Sequence, residues 1–246
     1  MYILAIETTG PHCSVALINE TGHGAARVSQ GTLNHLTNLT PMIKEILEYY
    51  QVEVGDLKAI AVSQGPGSFT GIRIGVTTAR ALCQAKNIPA IAVPTLESFA
   101  YADKNYKGII VPMFDARRSQ VFAGAYRWNG GYIEQVVKGD AYNLADFLEK
   151  LASSINDITD DEVIREVTVY GDGAEAYGER VDEYLDAKDI TTVLNGTTQH
   201  AKYIAKLGLE LYNAGKTLEY GQLHPEYMRK AEAERKLEEA RKAALK

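Results

Sequence analysis

An α/β fold built from two similar halves is what the sequence predicts, on three observations. Apolar β-prone runs alternate with segments of helical periodicity. The order of elements restarts near residue 109, and each half ends its first strand in an acid, Glu7 in one and Asp115 in the other. At 246 residues with 46% hydrophobic content, the chain can form one large domain or two lobes of about 110 residues. The 24% charged content and net charge of −6 stay within the globular range.

In the first half, residues 2–7 and 13–19 are β-prone, and Thr21-Gly22 supplies a turn before a third run at 24–30, predicting a meander. A helical pattern covers 34–50, where Pro41 either kinks the helix or marks its true first turn after Thr40. A buried strand at 59–63, a glycine-rich turn, a helix over 71–86 and a strand at 90–93 follow.

The second half repeats the scheme. Residues 109–115 and 120–126 read as strands, and Asn129-Gly130 as a hairpin turn before 132–137. A helix over 143–153, a strand over 163–170, a Gly171-Asp172-Gly173 turn and helices at 173–185 and 199–214 complete it. The organisation predicted is a first lobe over 1–104, a second over 105–223 and a charged helical tail over 224–246, with Glu226 and Lys230 spaced i,i+4.

Composition narrows the function. The acidic balance argues against neutralising a nucleic-acid backbone unaided, so contact with RNA is expected to be indirect. Cys13 and Cys83 lie in apolar stretches without CxxC spacing and read as reduced core residues, which suits the cytoplasm. The start of the chain lacks the features of a signal peptide, and no run of 18 apolar residues suggests a membrane span.

Glu7 and Asp115 are either turn-side acids closing strand ends or, with their neighbours, two walls of a cleft able to face phosphates and a metal. Gly65-Pro66-Gly67-Ser68-Phe69-Thr70-Gly71 stands where phosphate loops occur but matches neither GxGxxG nor GxxxxGK[ST]. No HExxH, HxxxH, HxH or GxSxG pattern occurs, so neither zinc-protease nor serine-hydrolase chemistry is supported and no cofactor or metal is expected.

Two helical stripes remain. Leu36, Leu39, Ile43, Ile46, Leu47 and Tyr50 share an arc of the first helix, and Gly71, Gly75, Ala79 and Cys83 form a smooth row on the second. Each is either ordinary core or half of a docking surface, one bulky and one smooth. On the docking reading, Gly75→Leu blocks a partner while the monomer stays folded.

Ile3 to Thr9 with Cys13 to Leu17, and above all Gly65 to Gly75, resemble the TsaB (YeaZ) family closely. Asp115-Ala116-Arg117-Arg118, Gly171-Asp172-Gly173-Ala174 and Pro225-Glu226-Tyr227-Met228-Arg229 look like further signatures, spanning nearly the whole chain. The resemblance implies an actin-like ATPase (ASKHA) fold of two ribonuclease-H-like lobes, with mixed sheets flanked by helices. It implies a non-catalytic scaffold that dimerises with a TsaD homologue, through helices matching 34–50 and 71–86. That pair is joined by the ATPase TsaE to threonylcarbamoylate adenosine 37 of tRNAs reading codons that begin with A. Self-association through the same surface is implied when the protein is alone.

TsaD enzymes carry an HxxxH metal pair, and Thr95 and Phe99 stand where those histidines would be, so the resemblance implies a lost metal site. Glu7, Thr8, Asp115 and Arg117 would then line a vestigial nucleotide cleft. The competing readings are a small-molecule kinase or ATPase of the same fold and an M22-type glycoprotease-like protein.

Overall fold

The computed structural model describes residues 1–31, 34–158 and 165–228. The first lobe runs β1 (Tyr2–Glu7), β2 (Ser14–Asn19), β3 (Gly24–Val28), α1 (His35–Tyr50), β4 (Leu57–Gly65), α2 (Phe69–Lys86), β5 (Ala90–Pro94) and the short α3 (Thr95–Ser98). The second runs β6 (Ile109–Asp115), β7 (Gln120–Asn129), β8 (Tyr132–Asn143), α4 (Leu144–Asn156), β9 (Glu166–Tyr170), α5 (Asp172–Asp186), β10 (Thr191–Asn195) and α6 (Ala201–Asn213).

The duplication is visible in the sheets. One has the order β3-β2-β1-β4-β5 and the other, read in the same sense, β8-β7-β6-β9-β10. In each, an antiparallel meander is extended by two parallel strands entered through helical crossovers. Two lobes of one strand order are thus joined in the chain.

Alternation along the strands decides which layer each side chain joins. Leu4, Ile6, Val15 and Leu17 turn towards α1 and α2, in a core with Leu39, Ile43, Ile46, Leu47, Ile72, Val76, Ala79 and Cys83. Ile3, Ala5, Ala16 and Ala61 turn to the opposite face. There α6 packs mainly across the first sheet. Small strand residues let it approach: a Cβ on Gly208 would lie 2.7 Å from that of Ala61.

The chain then continues along the first lobe. Leu218 pairs with Ala90 across an antiparallel bridge, Leu223 is buried, and the Glu226 N–H donates to the Gln64 carbonyl at 2.8 Å. Residues 201–223, expected in the second lobe, thus return with 224–228 to the first sheet. Residues 224–228 carry no helix, and the remainder of the expected tail helix, Lys230 included, lies outside the described residues.

Pro41 sits inside an unbroken α1, which begins at His35, well before the proline. The carbonyl it deprives of a donor, on Thr37, is on the exposed side, where water replaces the lost bond. Among the described residues no helix is long and apolar enough to cross a membrane.

Candidate protein-interaction surface

The loop after β1 shows what became of the cleft. Glu7 and Thr8 are fully buried. Glu7 Oε1 accepts from the Thr9 N–H and, at 2.6 Å, from the Thr9 hydroxyl, while its Oε2 has no hydrogen-bond partner among the described residues. The Thr8 hydroxyl donates to the Gly71 carbonyl at 2.7 Å, and the Ser68 N–H donates to the Thr9 carbonyl at 2.8 Å. These bonds fasten the loop onto the N-terminus of α2. From the other side the Gln199 side chain covers Gly10, and the Ala201 N–H donates to Ser14 Oγ at 2.9 Å.

Burial pushes the Glu7 carboxyl up from its ordinary value, against the hydrogen bonds from Thr9 that favour the charged form. The folded chain therefore holds this proton more tightly than the unfolded chain. Its stabilising contribution is complete below the ordinary value of 4.5 and is lost as pH rises through the folded value. Glu7→Gln keeps an acceptor for Thr9 and removes that loss. Thermal unfolding between pH 4 and 7 should show a flatter profile for Glu7→Gln and a higher Tm at pH 7; a lower Tm there would mean the carboxylate is ionised and well accommodated.

The second lobe presents its acid differently. The Asp115 side chain is 16% exposed and that of Arg117 86%. Asp115 Oδ1 accepts from the Tyr177 hydroxyl and the Arg117 N–H, both at 2.7 Å, and its own N–H donates to Asp172 Oδ1 at 3.0 Å. Burial, with the charge of Asp115 adding to it, raises the Asp172 carboxyl, opposed by that N–H. Arg117, Arg118 and Ser119 all have positive φ, turning the two guanidinium groups outward. No hydrogen bond or ion pair among the described residues links Glu7 or Thr8 to Asp115 or Arg117, and no group of three His, Cys, Asp or Glu is placed to hold a metal. The cleft reading fails at Glu7, which has no exposed oxygen to offer a metal or phosphate.

Both stripes singled out in the sequence face inward. Leu39, Ile43, Ile46 and Leu47 are buried in the lobe's own core, as are Ala79 and Cys83. Gly71 and Gly75 are pressed against the first loop: a Cβ would lie 1.9 Å from the Thr8 carbonyl oxygen at Gly71 and 2.4 Å from Thr8 Oγ1 at Gly75. Their smoothness admits that loop and not a partner helix. Of the ten candidates, Leu36 alone is well exposed, at 77%, and Tyr50 is half-buried beside Tyr2.

The face open to a partner combines the exposed N-terminal end of the α1 arc with the outer sides of the two helices. On α1 it carries Leu36, Thr40 and Lys44; on α2, Thr70, Arg73, Thr77 and Ala81, with Ile74 half-buried. Between the helix N-termini lies a mainly apolar groove of about 470 Å³, lined by Asn34 to Thr37, Ser68, Thr70, Gly71 and Ile74. Sequence reading missed Phe69 and Tyr227, exposed at 37% and 39% and stacked with ring centroids 4.6 Å apart. Phe69 adjoins the glycine-rich turn and could have been flagged there; nothing local tells that residue 227 comes to rest on it.

At the positions compared with the TsaD metal pair, Thr95 is fully buried, with no partner for its hydroxyl among the described residues. Phe99 is also fully buried, with ring centroids 5.5–5.7 Å from those of Phe114, Tyr170 and Tyr203. It belongs to the core that joins α6 to both sheets.

A family model described as TsaD, tRNA N6-adenosine threonylcarbamoyltransferase, matches residues 29–242. The tRNA threonylcarbamoyladenosine biosynthesis protein TsaB of Bacillus subtilis is 34% identical over 98% of this chain and 100% of its own length. The TsaB of Haemophilus influenzae is 28% identical over 92% of this chain and 93% of its own. Among solved structures, YeaZ from Pseudomonas aeruginosa superposes with a TM-score of 0.72 at 25% identity, covering 92% of this chain and 99% of that one. With Bacillus subtilis TsaB matched from end to end and the same two-lobed fold in YeaZ, this chain belongs to the TsaB (YeaZ) family.

Proposed function

We propose that this chain is a non-catalytic subunit in the synthesis of threonylcarbamoyladenosine in tRNA, pairing with a TsaD protein through the outer faces of α1 and α2. The observation that carries this reading is the place of Phe99: where the TsaD relatives would hold a metal histidine, this chain has an aromatic ring built into the core between its lobes. Opening that site would dismantle the packing that holds α6. A small-molecule kinase of the same fold is disfavoured because Glu7 is buried and bound to its own loop.

Docking is supported by the exposed Leu36 and the apolar groove beside it. A side chain such as Leu36 contributes about 1.5–3 kcal/mol when fully covered, so a few anchors suffice for an interface near 800 Å² per partner. Self-association of the isolated chain would use the same face. TsaE joins the pair, and adenosine 37 of the tRNA is the target; the net charge of −6 suits a subunit that meets tRNA only through its partners.

Reconstitution with purified proteins tests the proposal. Threonylcarbamoyladenosine should form in tRNA when the chain is combined with TsaD, TsaE and an activated threonylcarbamoyl donor, and should be lost when any one protein is left out. Modification by this chain alone, or full activity without it, overturns the reading.

A further inference from the structure

We propose that Arg73 is a pre-set receptor for a carboxylate side chain on the partner protein, its guanidinium positioned by Phe69 and Tyr227. The proposal deepens the docking role above and rests on it. Phe69 and Arg73 stand four residues apart on the first turns of α2, so their side chains meet on one face. The guanidinium carbon of Arg73 lies 4.0 Å from the Phe69 ring centroid and 5.8 Å from that of Tyr227. Arg73 Nε donates to the Tyr227 hydroxyl at 2.8 Å.

Tyr227 is itself anchored. Beside it, the Glu226 N–H donates to the Gln64 carbonyl, and the Gln64 side-chain amide donates to Glu226 Oε2 at 2.8 Å. A Cβ on Gly65 would lie 2.3 Å from the Glu226 carbonyl oxygen, so only glycine lets the returning segment cross here. The arginine is thus held by two regions of the chain more than 150 residues apart.

An exposed arginine normally samples many rotamers, and ordering one on binding costs affinity. Here much of that ordering precedes binding. Nε is satisfied by a neutral phenol, while the two η nitrogens have no hydrogen-bond partner among the described residues. A planar fork with both ends open matches a carboxylate, bidentate. The flanking aromatics, partly exposed now, would exclude water once covered, and Arg, Tyr and Phe beside an apolar groove make an anchor of the kind that dominates interfaces. A phosphate backbone is the poorer fit, since Glu226 sits exposed next to Tyr227 and the chain is acidic.

Calorimetric titration of the wild-type chain, Arg73→Met, Arg73→Lys and Tyr227→Phe with the TsaD protein of the same organism, at low and high salt, provides the test. Arg73→Met should weaken binding roughly tenfold or more with Tm unchanged, and flatten the salt dependence. Arg73→Lys should recover only part, lacking the fork, and Tyr227→Phe should fall between. Wild-type affinity and salt dependence in Arg73→Met, with or without a lower Tm, overturns the inference and leaves the docking role standing; it would make the stack a mere pin for the returning segment. Loss of tRNA binding with TsaD binding intact would overturn it in favour of a phosphate contact. If the wild-type chain itself fails to bind TsaD, the docking role falls and the inference with it.

Discussion

Gly75→Leu is expected to destabilise the first lobe by more than about 3 kcal/mol, above the usual range for overpacked cores. A Cβ at this position would stand 2.4 Å from Thr8 Oγ1 in the loop after β1, 3.4 Å from Val62 of β4 and 3.6 Å from Ile6 of β1, all fully buried. Helix propensity works the other way, favouring a residue other than glycine by about 1 kcal/mol at most. The steric cost wins, because α2 must lift away from β1 and break the Thr8–Gly71 hydrogen bond to make room. Chemical denaturation would show the loss as a lower midpoint. A well-folded Gly75→Leu chain that fails only in partner binding would restore the reading in which this row faces outward.

Leu36→Asp should do the reverse, leaving the fold and removing the partner. Leu36 is 77% exposed, so its replacement should change stability by no more than about 0.5 kcal/mol. An acid in the first turn of α1 even complements the helix dipole. In a complex the loss combines the apolar burial of leucine, about 1.5–3 kcal/mol, with the cost of covering an unpaired carboxylate, so affinity for TsaD should fall by about 100-fold or more. Unchanged co-elution of Leu36→Asp with TsaD would place the interface elsewhere.

The contrast between these two residues marks what the sequence could show. Periodicity located α1 and α2 and most of the buried arc of each, Leu36 and Tyr50 excepted, since any helix must bury such an arc. It could not say which surface receives the arc. Leu39 and Ile46 meet the lobe's own sheet, and Gly75 is small for the sake of a loop that begins nearly seventy residues earlier. The face left to water is polar and mixed, a weak signal on its own.

Much of the architecture was nevertheless legible. The meander, the crossover helices and the repeat were encoded in alternation and turn residues, and the strand order of the two sheets repeats as the sequence implied. β10 was missed because Thr191–Asn195 is an edge strand, three of its five residues threonine or asparagine, with Val193 and Leu194 partly exposed. The return of α6 to the first sheet was hidden for another reason: an amphipathic helix carries no address for the sheet it covers. The same holds for Tyr227 on Phe69, a contact made across most of the chain.

Hydrogen–deuterium exchange of the chain, alone and with its TsaD protein, tests the central claim most directly. Protection should appear on α1 and in the first turns of α2, including the peptides that carry Leu36 and Arg73, with α4 and α5 unchanged. Protection confined to the second lobe, with α1 and α2 exchanging as in the free chain, would contradict it.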